Sequence, residues 1–91
     1  MSVRVRIPAQ LRTLTAGTGE LDVEGTTVGE VLKALDAAHG GMADRLFDES
    51  GALRRFVNVF VDDEDVRFLD GLATEVRDGQ TLSIVPAVAG G

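Results

Sequence analysis

The sequence contains no cysteine, tryptophan or tyrosine, and its single histidine is His39. Without cysteine the chain has no disulfide, no thiolate nucleophile and no cysteine-based metal site, and one histidine cannot form a histidine cluster. The aromatic residues are four phenylalanines, so we expect a core built from Val, Leu, Ile and Ala. These absences exclude most enzymatic chemistry, and we expect no catalytic side chain, no metal and no cofactor.

Long apolar runs and an excess of positive charge are absent as well. No run of about 18 apolar residues occurs, and the opening MSVRVRIPAQL alternates apolar with basic residues where a signal peptide would have an apolar core. The formal net charge is −6 and Lys33 is the single lysine, so the chain lacks the basic surface that nucleic acids require. We predict a cytoplasmic protein that binds neither membranes nor nucleic acid and whose partner has a basic docking face.

The amount of chain and its composition fit one globular domain. The chain has 91 residues, 44% of them hydrophobic and 26% charged, which is enough to bury a single core. We predict that residues 1–85 form this domain and that residues 86–91 form a flexible C-terminal tail ending in Gly-Gly.

Alternation of apolar and polar residues predicts the strands of the domain. Residues 3–7 alternate valine or isoleucine with arginine and stop at Pro8, which lacks a ladder donor. A turn rich in Gly and Thr leads to a second strand over 21–24, which favours an antiparallel hairpin. Three further strands are predicted over residues 56–61, 66–68 and 81–86.

The segment TTVGEVLKALDAAHGG predicts a helix of about three turns. Thr27 and Glu30 have the spacing of a capping box, in which the Thr hydroxyl accepts from the Glu30 N–H and the Glu carboxylate accepts from the Thr27 N–H. Gly40-Gly41 supplies a left-handed stop, and His39 before it is expected to cap the helix C-terminus.

A short helical turn is predicted over residues 42–47, before the remaining strands. The element order is thus two strands, a helix, two strands, a short connection and a last strand. If the crossover is right-handed, as such connections almost always are, the first and last strands lie side by side and parallel under the helix. The predicted fold class is therefore α+β, a β-grasp with a mixed five-stranded sheet and one main helix packed across it.

Four segments resemble the ubiquitin-like sulfur carriers of the ThiS/MoaD family. They are VRIPAQLR at 5–12, RFVNVFVDDEDVRF at 55–68, GLAT at 71–74 and DGQTLSIVPAVAGG at 78–91. The terminal Gly90-Gly91 is the diagnostic motif of this family, and the DEDVRF and PAVAGG segments are similar to its cysteine-biosynthetic branch in actinobacteria. The resemblance implies a ubiquitin-like fold and a protein cosubstrate that is not itself an enzyme.

The same resemblance implies the chemistry and the partners. A ubiquitin-activating-like enzyme adenylates the Gly91 carboxylate with ATP, and a sulfur donor converts it to a thiocarboxylate. The thiocarboxylate gives sulfide to an acceptor such as a cysteine synthase-like enzyme or a thiosugar synthase, and a metalloprotease releases the new cysteine in the cysteine branch. Two alternatives stay open: a MoaD-type small subunit of molybdopterin synthase, and a ubiquitin-like modifier conjugated to lysine.

The residues of the tail suit this chemistry on physical grounds. An α-carboxylate has an ordinary pKa of about 3.5, so it is ionised at neutral pH and must be activated from outside. Six extended residues span about 20 Å, and glycine without a Cβ lets a narrow channel close around the backbone. Pro86 is expected to end sheet pairing because it lacks an N–H. The residues predicted to insert into a partner channel are Pro86, Ala87, Val88, Ala89, Gly90 and Gly91.

One face of the sheet is predicted to dock the partners, because exposed apolar patches on small proteins often mark docking surfaces. The alternative is that a loop or the 42–54 segment covers this face. The acidic run at 62–65 is expected to be a solvated turn, or else to meet partner arginines, and it lacks the spacing of a calcium loop. The predicted docking residues are Phe56, Phe60, Val85, Asn58, Arg4 and Arg6.

Overall fold

A computed structural model describes residues 2–55 and 57–86, which form a five-stranded sheet and two helices. Three short 3-10 helices occupy the connections, at Ala9–Thr15, Val66–Phe68 and Gly71–Ala73. The strands and helices in chain order are β1 (Ser2–Arg6), β2 (Glu20–Glu24), α1 (Val28–Ala38), α2 (Met42–Leu46), β3 (Val57–Val61), β4 (Glu64–Asp65) and β5 (Thr81–Pro86).

The strand order across the sheet is β2-β1-β5-β3-β4. β1 and β5 run parallel, with Val5 opposite Leu82, and the other neighbouring pairs are antiparallel. The first and last strands are therefore neighbours, and β5 has a partner on each side. This topology confirms the predicted β-grasp with a mixed five-stranded sheet.

The core is aliphatic, as the composition predicts. On β3 the valines at 57, 59 and 61 are buried while Asn58 and Phe60 between them are half-buried, so the strand has an inner and an outer side. The inner side packs with α1, α2 and the loops into one cluster. The buried members of the cluster are Val3, Val5, Ile7, Leu11, Val28, Val31, Leu32, Leu35, Met42, Leu46, Val57, Val59, Val61, Val66, Val76, Leu82 and Ile84.

Helix α1 begins with half of the predicted capping box. The Thr27 hydroxyl accepts from the Glu30 N–H at 3.2 Å, as predicted. The Glu30 carboxylate instead accepts from the N–H of Thr26 at 3.0 Å and from the hydroxyl of Thr26 at 2.8 Å, one residue earlier than predicted. Thr27 itself is extended and forms a β-bridge with Glu75. The bond from the Glu30 carboxylate back to the start of the helix thus goes to Thr26, the residue before the bridged Thr27.

The C-terminus of α1 follows the prediction more closely. His39 is the C-cap residue, and its N–H donates to the Leu35 carbonyl at 2.8 Å. Gly41 has φ +95°, in the left-handed region that glycine tolerates. The helix ends directly before the glycine pair, as predicted, whereas the left-handed residue is Gly41 alone, which is also the N-cap of α2.

Two predictions of local structure are wrong. Residues 66–68 form a 3-10 helix instead of a strand, because the Asp65 carboxylate accepts from the Arg67 N–H at 2.9 Å and caps a turn. The connection after Pro8 contains a 3-10 helix over Ala9–Thr15 that buries Leu11 and Thr15, where the sequence predicts only a turn.

Candidate functional site

The side of the sheet away from α1, which we call the outer face, carries the described part of the predicted docking surface. Ser83 on β5 lies between Arg6 of β1 and Phe60 of β3, and Asn58 lies opposite Val85. The register thus brings residues from three strands together beside the end of β5. The sixth predicted docking residue, Phe56, lies outside the described residues.

The apolar part of the outer face is partly covered. Val85 is 44% exposed, whereas Phe60 and Asn58 are half-buried. The guanidinium group of Arg67 reaches this face and donates to the amide oxygen of Asn58. The most accessible apolar residue among the described docking candidates is therefore Val85.

Arg67 holds the beginning of β3 through its guanidinium group. This group donates to the carbonyl oxygens of Arg54 and Val57, each at 2.8 Å, and to that of Arg55 at 3.3 Å. An exposed arginine such as Arg67 is ordinarily a surface charge that contributes little. Its planar fork of donors instead binds several backbone acceptors at once, which a surface role would not require.

The two arginines of β1 have different surroundings. Arg4 forms exposed ion pairs with Glu20 at 3.3 Å and with Asp22 at 3.4 Å. Pairs this exposed contribute about 0–1 kcal/mol each, so they orient Arg4 towards β2 more than they stabilise the fold. Arg6 takes part in none of the ion pairs found among residues 2–55 and 57–86.

A shallow depression of ≈ 620 Å³ lies on the outer face beside the end of β5. Arg12 belongs to its wall, and the Arg12 Nε donates to the Ile7 carbonyl at 3.0 Å, which fixes the guanidinium there. The sequence reasoning missed Arg12 as a site residue, although it lies in the VRIPAQLR segment. The residues lining the depression include Arg6, Pro8, Arg12, Glu20, Ser83 and Val85.

β5 connects this surface to the predicted tail. It extends through Pro86, which lies opposite Val57 of β3, so strand pairing reaches the first residue of the segment predicted to be the tail. The remaining tail residues 87–91, with Gly90 and Gly91, lie outside the described residues. Their insertion into a partner stays a prediction.

Among the described residues, two carboxyl groups have shifted pKa values, and both serve local structure. Hydrogen bonds from the backbone and the hydroxyl of Thr26 lower the pKa of Glu30, and hydrogen bonds led by the hydroxyl of Ser50 lower the pKa of Asp48. Glu30 belongs to the α1 cap and Asp48 to the loop after α2, so neither lies on the outer face. No group of three or more His, Asp or Glu side chains in the described ranges is arranged to hold a metal ion.

Comparison with known proteins identifies the family. Residues 5–91 match the model of the ThiS family. The chain belongs to the ThiS family. The sulfur carrier protein CysO of Mycobacterium tuberculosis is 50% identical over 93 residues, which cover 100% of both proteins. The family match includes the outer-face residues of β3 and β5 as well as Arg6, and it begins one residue after Arg4.

Solved structures of similar proteins superpose on this chain over nearly their whole length. A chain from the crystal structure of the Amycolatopsis orientalis BexX/CysO complex is 50% identical with a TM-score of 0.91, covering 98% of this chain and 99% of that one. The small archaeal modifier SAMP1 of Haloferax volcanii is 30% identical with a TM-score of 0.84, covering 100% of both chains. Among the described residues, no helix has the length and hydropathy to cross a membrane.

Proposed function

We propose that this ThiS-family chain is a sulfur carrier whose reactive group is the C-terminal carboxylate of Gly91. An activating enzyme condenses this carboxylate with ATP to an acyl-adenylate and releases pyrophosphate. A sulfur donor then displaces AMP and leaves a thiocarboxylate, which gives sulfide to an acceptor enzyme. The observation that carries the proposal is the 50% identity to the sulfur carrier protein CysO across the full length of both proteins.

The physical chemistry of the chain supports a role as cosubstrate. An ionised carboxylate is a poor electrophile, so the energy for the sulfur bond must come from a phosphoanhydride on another protein. β5 pairs with a strand on each side and leads into 87–91, so the folded domain supplies a rigid base next to the reactive end. In this proposal the fold positions the tail, and the partner enzymes supply the catalytic groups.

We further propose that the activating enzyme docks on the outer face beside the end of β5. Val85 is exposed there, and Arg6 and Arg12 line the adjoining depression. A partner with an apolar contact for Val85 and acidic side chains for the arginines would fit this surface. Acceptors in cysteine biosynthesis or thiosugar formation, and a metalloprotease that releases cysteine, would use the same reactive end.

Intact mass spectrometry tests the carrier function. Incubation with the activating enzyme, ATP and sulfide should add the mass difference of one oxygen replaced by sulfur. The Gly91→Ala variant should form thiocarboxylate much more slowly with an unchanged thermal unfolding midpoint, because an added Cβ obstructs the channel. Adenylation of this variant at the wild-type rate would contradict the proposal.

A paired substitution tests the docking surface. Val85→Glu should raise the dissociation constant for the activating enzyme, whereas Ala37→Glu on the exposed side of α1 should leave it unchanged. Isothermal titration calorimetry measures both, and thermal unfolding shows that both variants fold. Equal binding by the two variants would place the docking surface elsewhere.

A second candidate function is protein modification, in which the activated carboxylate joins a lysine amine. It is favoured by one observation: the small archaeal modifier protein 3 of Haloferax volcanii is 44% identical over 68 residues, which cover 75% of this chain. Ladders of lysine conjugates after incubation with ATP and a cell extract would support it, and the thiocarboxylate mass increment supports the carrier. Co-purification of a larger synthase subunit would instead indicate a molybdopterin synthase role.

A further inference from the structure

The most exposed large apolar side chain in the described part of the chain is that of Phe68, with 87% of its surface in contact with solvent. Leu69 beside it is 41% exposed. We call these two residues the edge patch, since they follow β4 at one edge of the sheet. A phenylalanine buries about 150–250 Å² when it is covered, so this exposure leaves a large contact area unused in the isolated domain.

The backbone around the edge patch is held in place. The Arg67 N–H donates to the Asp65 carboxylate at 2.9 Å, and the Leu69 N–H donates to the Val66 carbonyl at 3.0 Å. Val66 is fully buried. On the other side, the Asp70 N–H donates to the hydroxyl of the buried Thr74 at 3.1 Å. Phe68 is thus presented on an ordered base, which lowers the entropy lost on binding.

Acidic residues flank the edge patch in the chain. Asp63, Glu64 and Asp70 are exposed, and no hydrogen bond within residues 2–55 and 57–86 engages their side chains. The positive charges close by are Arg67, whose guanidinium points at backbone carbonyls, and the exposed Arg54 and Arg55, whose carbonyls accept from it. Asp63, Glu64 and Asp70, which flank Phe68 and Leu69 in the chain, form an acidic rim that complements a basic surface.

The segment that carries the edge patch contacts the sheet beside the last residues of β5. Arg67, directly before Phe68, bonds to the carbonyl of Val57 and to the side chain of Asn58. Val57 lies opposite Pro86, and Asn58 lies opposite Val85. A protein that receives the segment after Pro86 would therefore reach the edge patch as well as the outer face.

We propose that the edge patch inserts into an apolar pocket, rimmed by arginine and lysine side chains, on the enzyme that receives the C-terminal segment. Phe68 is the anchor of this contact, and the acidic rim fixes its orientation. Together with the outer face, the edge patch holds the carrier at two points around the tail. This inference rests on the proposed function for the identity of the receiving protein, the activating enzyme.

The kinetics of thiocarboxylate formation test the anchor. Phe68→Ala should raise the KM for the carrier about tenfold or more and leave kcat unchanged, because the tail is intact and the lost contact serves binding. Phe68→Leu should recover part of the loss. The unfolding midpoint of both variants should equal that of the wild type, because the side chain is exposed. An unchanged KM for Phe68→Ala would overturn the proposal.

Matched glutamates test the acidic rim. Glu64→Gln on β4 should raise the KM, and the rise should fade as salt is added, whereas Glu24→Gln on β2 at the opposite edge should have no effect. Equal effects of the two variants would show that net charge alone matters and would overturn the assignment of the rim.

Direct binding separates the edge patch from the proposed chemistry. Calorimetry with the activating enzyme reports the affinity of wild type and Phe68→Ala even if no thiocarboxylate forms. Loss of affinity in the variant supports the edge patch whether or not sulfur is carried, while binding without thiocarboxylate formation counts against the carrier function alone. Absence of wild-type binding overturns the edge patch. A wild-type dimer that Phe68→Ala dissociates, with enzyme affinity unchanged, would also overturn it and assign the patch to a second copy.

Discussion

At the scale of single residues, Gly25 shows how closely the loop before α1 packs. A Cβ at this position would lie 2.7 Å from Val31 Cγ2 and 2.9 Å from the Val31 backbone nitrogen. Gly25→Ala should therefore lower the free energy of unfolding by about 1–3 kcal/mol, as overpacking does. Gly40→Ala is the matched control, because nothing lies within 4 Å of its added Cβ. Urea denaturation measures both, and equal stability of the two variants would contradict the predicted clash.

The cap of α1 gives a prediction about pH. The N–H and the hydroxyl of Thr26 lower the pKa of Glu30 below its ordinary 4.5, so the folded state favours the ionised carboxylate. This stabilisation is fully present above the unfolded pKa and is lost as pH falls through the lower folded pKa. The wild type should exceed Glu30→Gln in stability at neutral pH, and the difference should shrink below about pH 4.5. Urea denaturation at a series of pH values measures this difference in stability. A difference that does not change with pH would contradict the role of the Glu30 charge.

The cap also shows what a single sequence reveals at this scale. Thr27 is predictable as an N-cap because the bond from its hydroxyl depends on a local spacing of three residues. The choice of Thr26 as the partner of Glu30 is not, because the backbone on either side of Thr27 is bonded to Thr74 and Val76, residues far away in the chain. A local hydrogen-bond pattern is visible in the sequence, whereas contacts with a segment far along the chain are not.

At the scale of elements, the connection between β4 and β3 depends on Arg67. Arg67→Lys should lower the free energy of unfolding by about 1–2 kcal/mol. The reason is that one ammonium group cannot donate to the carbonyls of Arg54, Arg55 and Val57 at the same time. Hydrogen exchange should speed up first at the start of β3. Arg77→Lys, at an exposed arginine, is the control. Equal exchange rates in both variants would show that the hydrogen bonds from Arg67 do not stabilise the start of β3.

The strands and α1 could be predicted from the sequence because each has an inner and an outer side. β3 alternates buried valines with half-buried residues, and this period of two is visible without a structure. Val66 and Phe68 also follow an alternating pattern, but residues 66–68 form a 3-10 turn that Asp65 caps. A strand pattern only three residues long cannot exclude a capped turn.

The outer face was predictable in part for the same reason. Alternation along β1, β3 and β5 puts the predicted residues on one side and the register brings them together. Arg67 and Arg12 were not predicted at the site, because their partners are backbone carbonyls that only the folded chain brings within reach. The exposure of Phe68 was not predicted, because the sequence pattern assigns residues 66–68 to a strand.

At the scale of the whole molecule, one core joins the helices to the sheet. Leu46 of the short α2 is fully buried in the same cluster as Val59 and Leu82 of the sheet. Leu46→Ala should therefore destabilise the entire domain by about 2–5 kcal/mol, with sheet and helix signals shifting together. Leu14→Ala, at a partly buried leucine, should cost less. Circular dichroism and hydrogen exchange of the sheet measure the shift, and separate transitions would contradict a single core.

The central place of β5 also has a mechanical consequence. β5 is hydrogen-bonded along one edge to parallel β1 and along the other to antiparallel β3, up to Pro86 opposite Val57. Tension applied at the segment that follows Pro86 acts along the strand axis and loads both ladders in shear. Many hydrogen bonds must then break together, so the domain should stay folded under the tension that insertion into the proposed partner channel would apply.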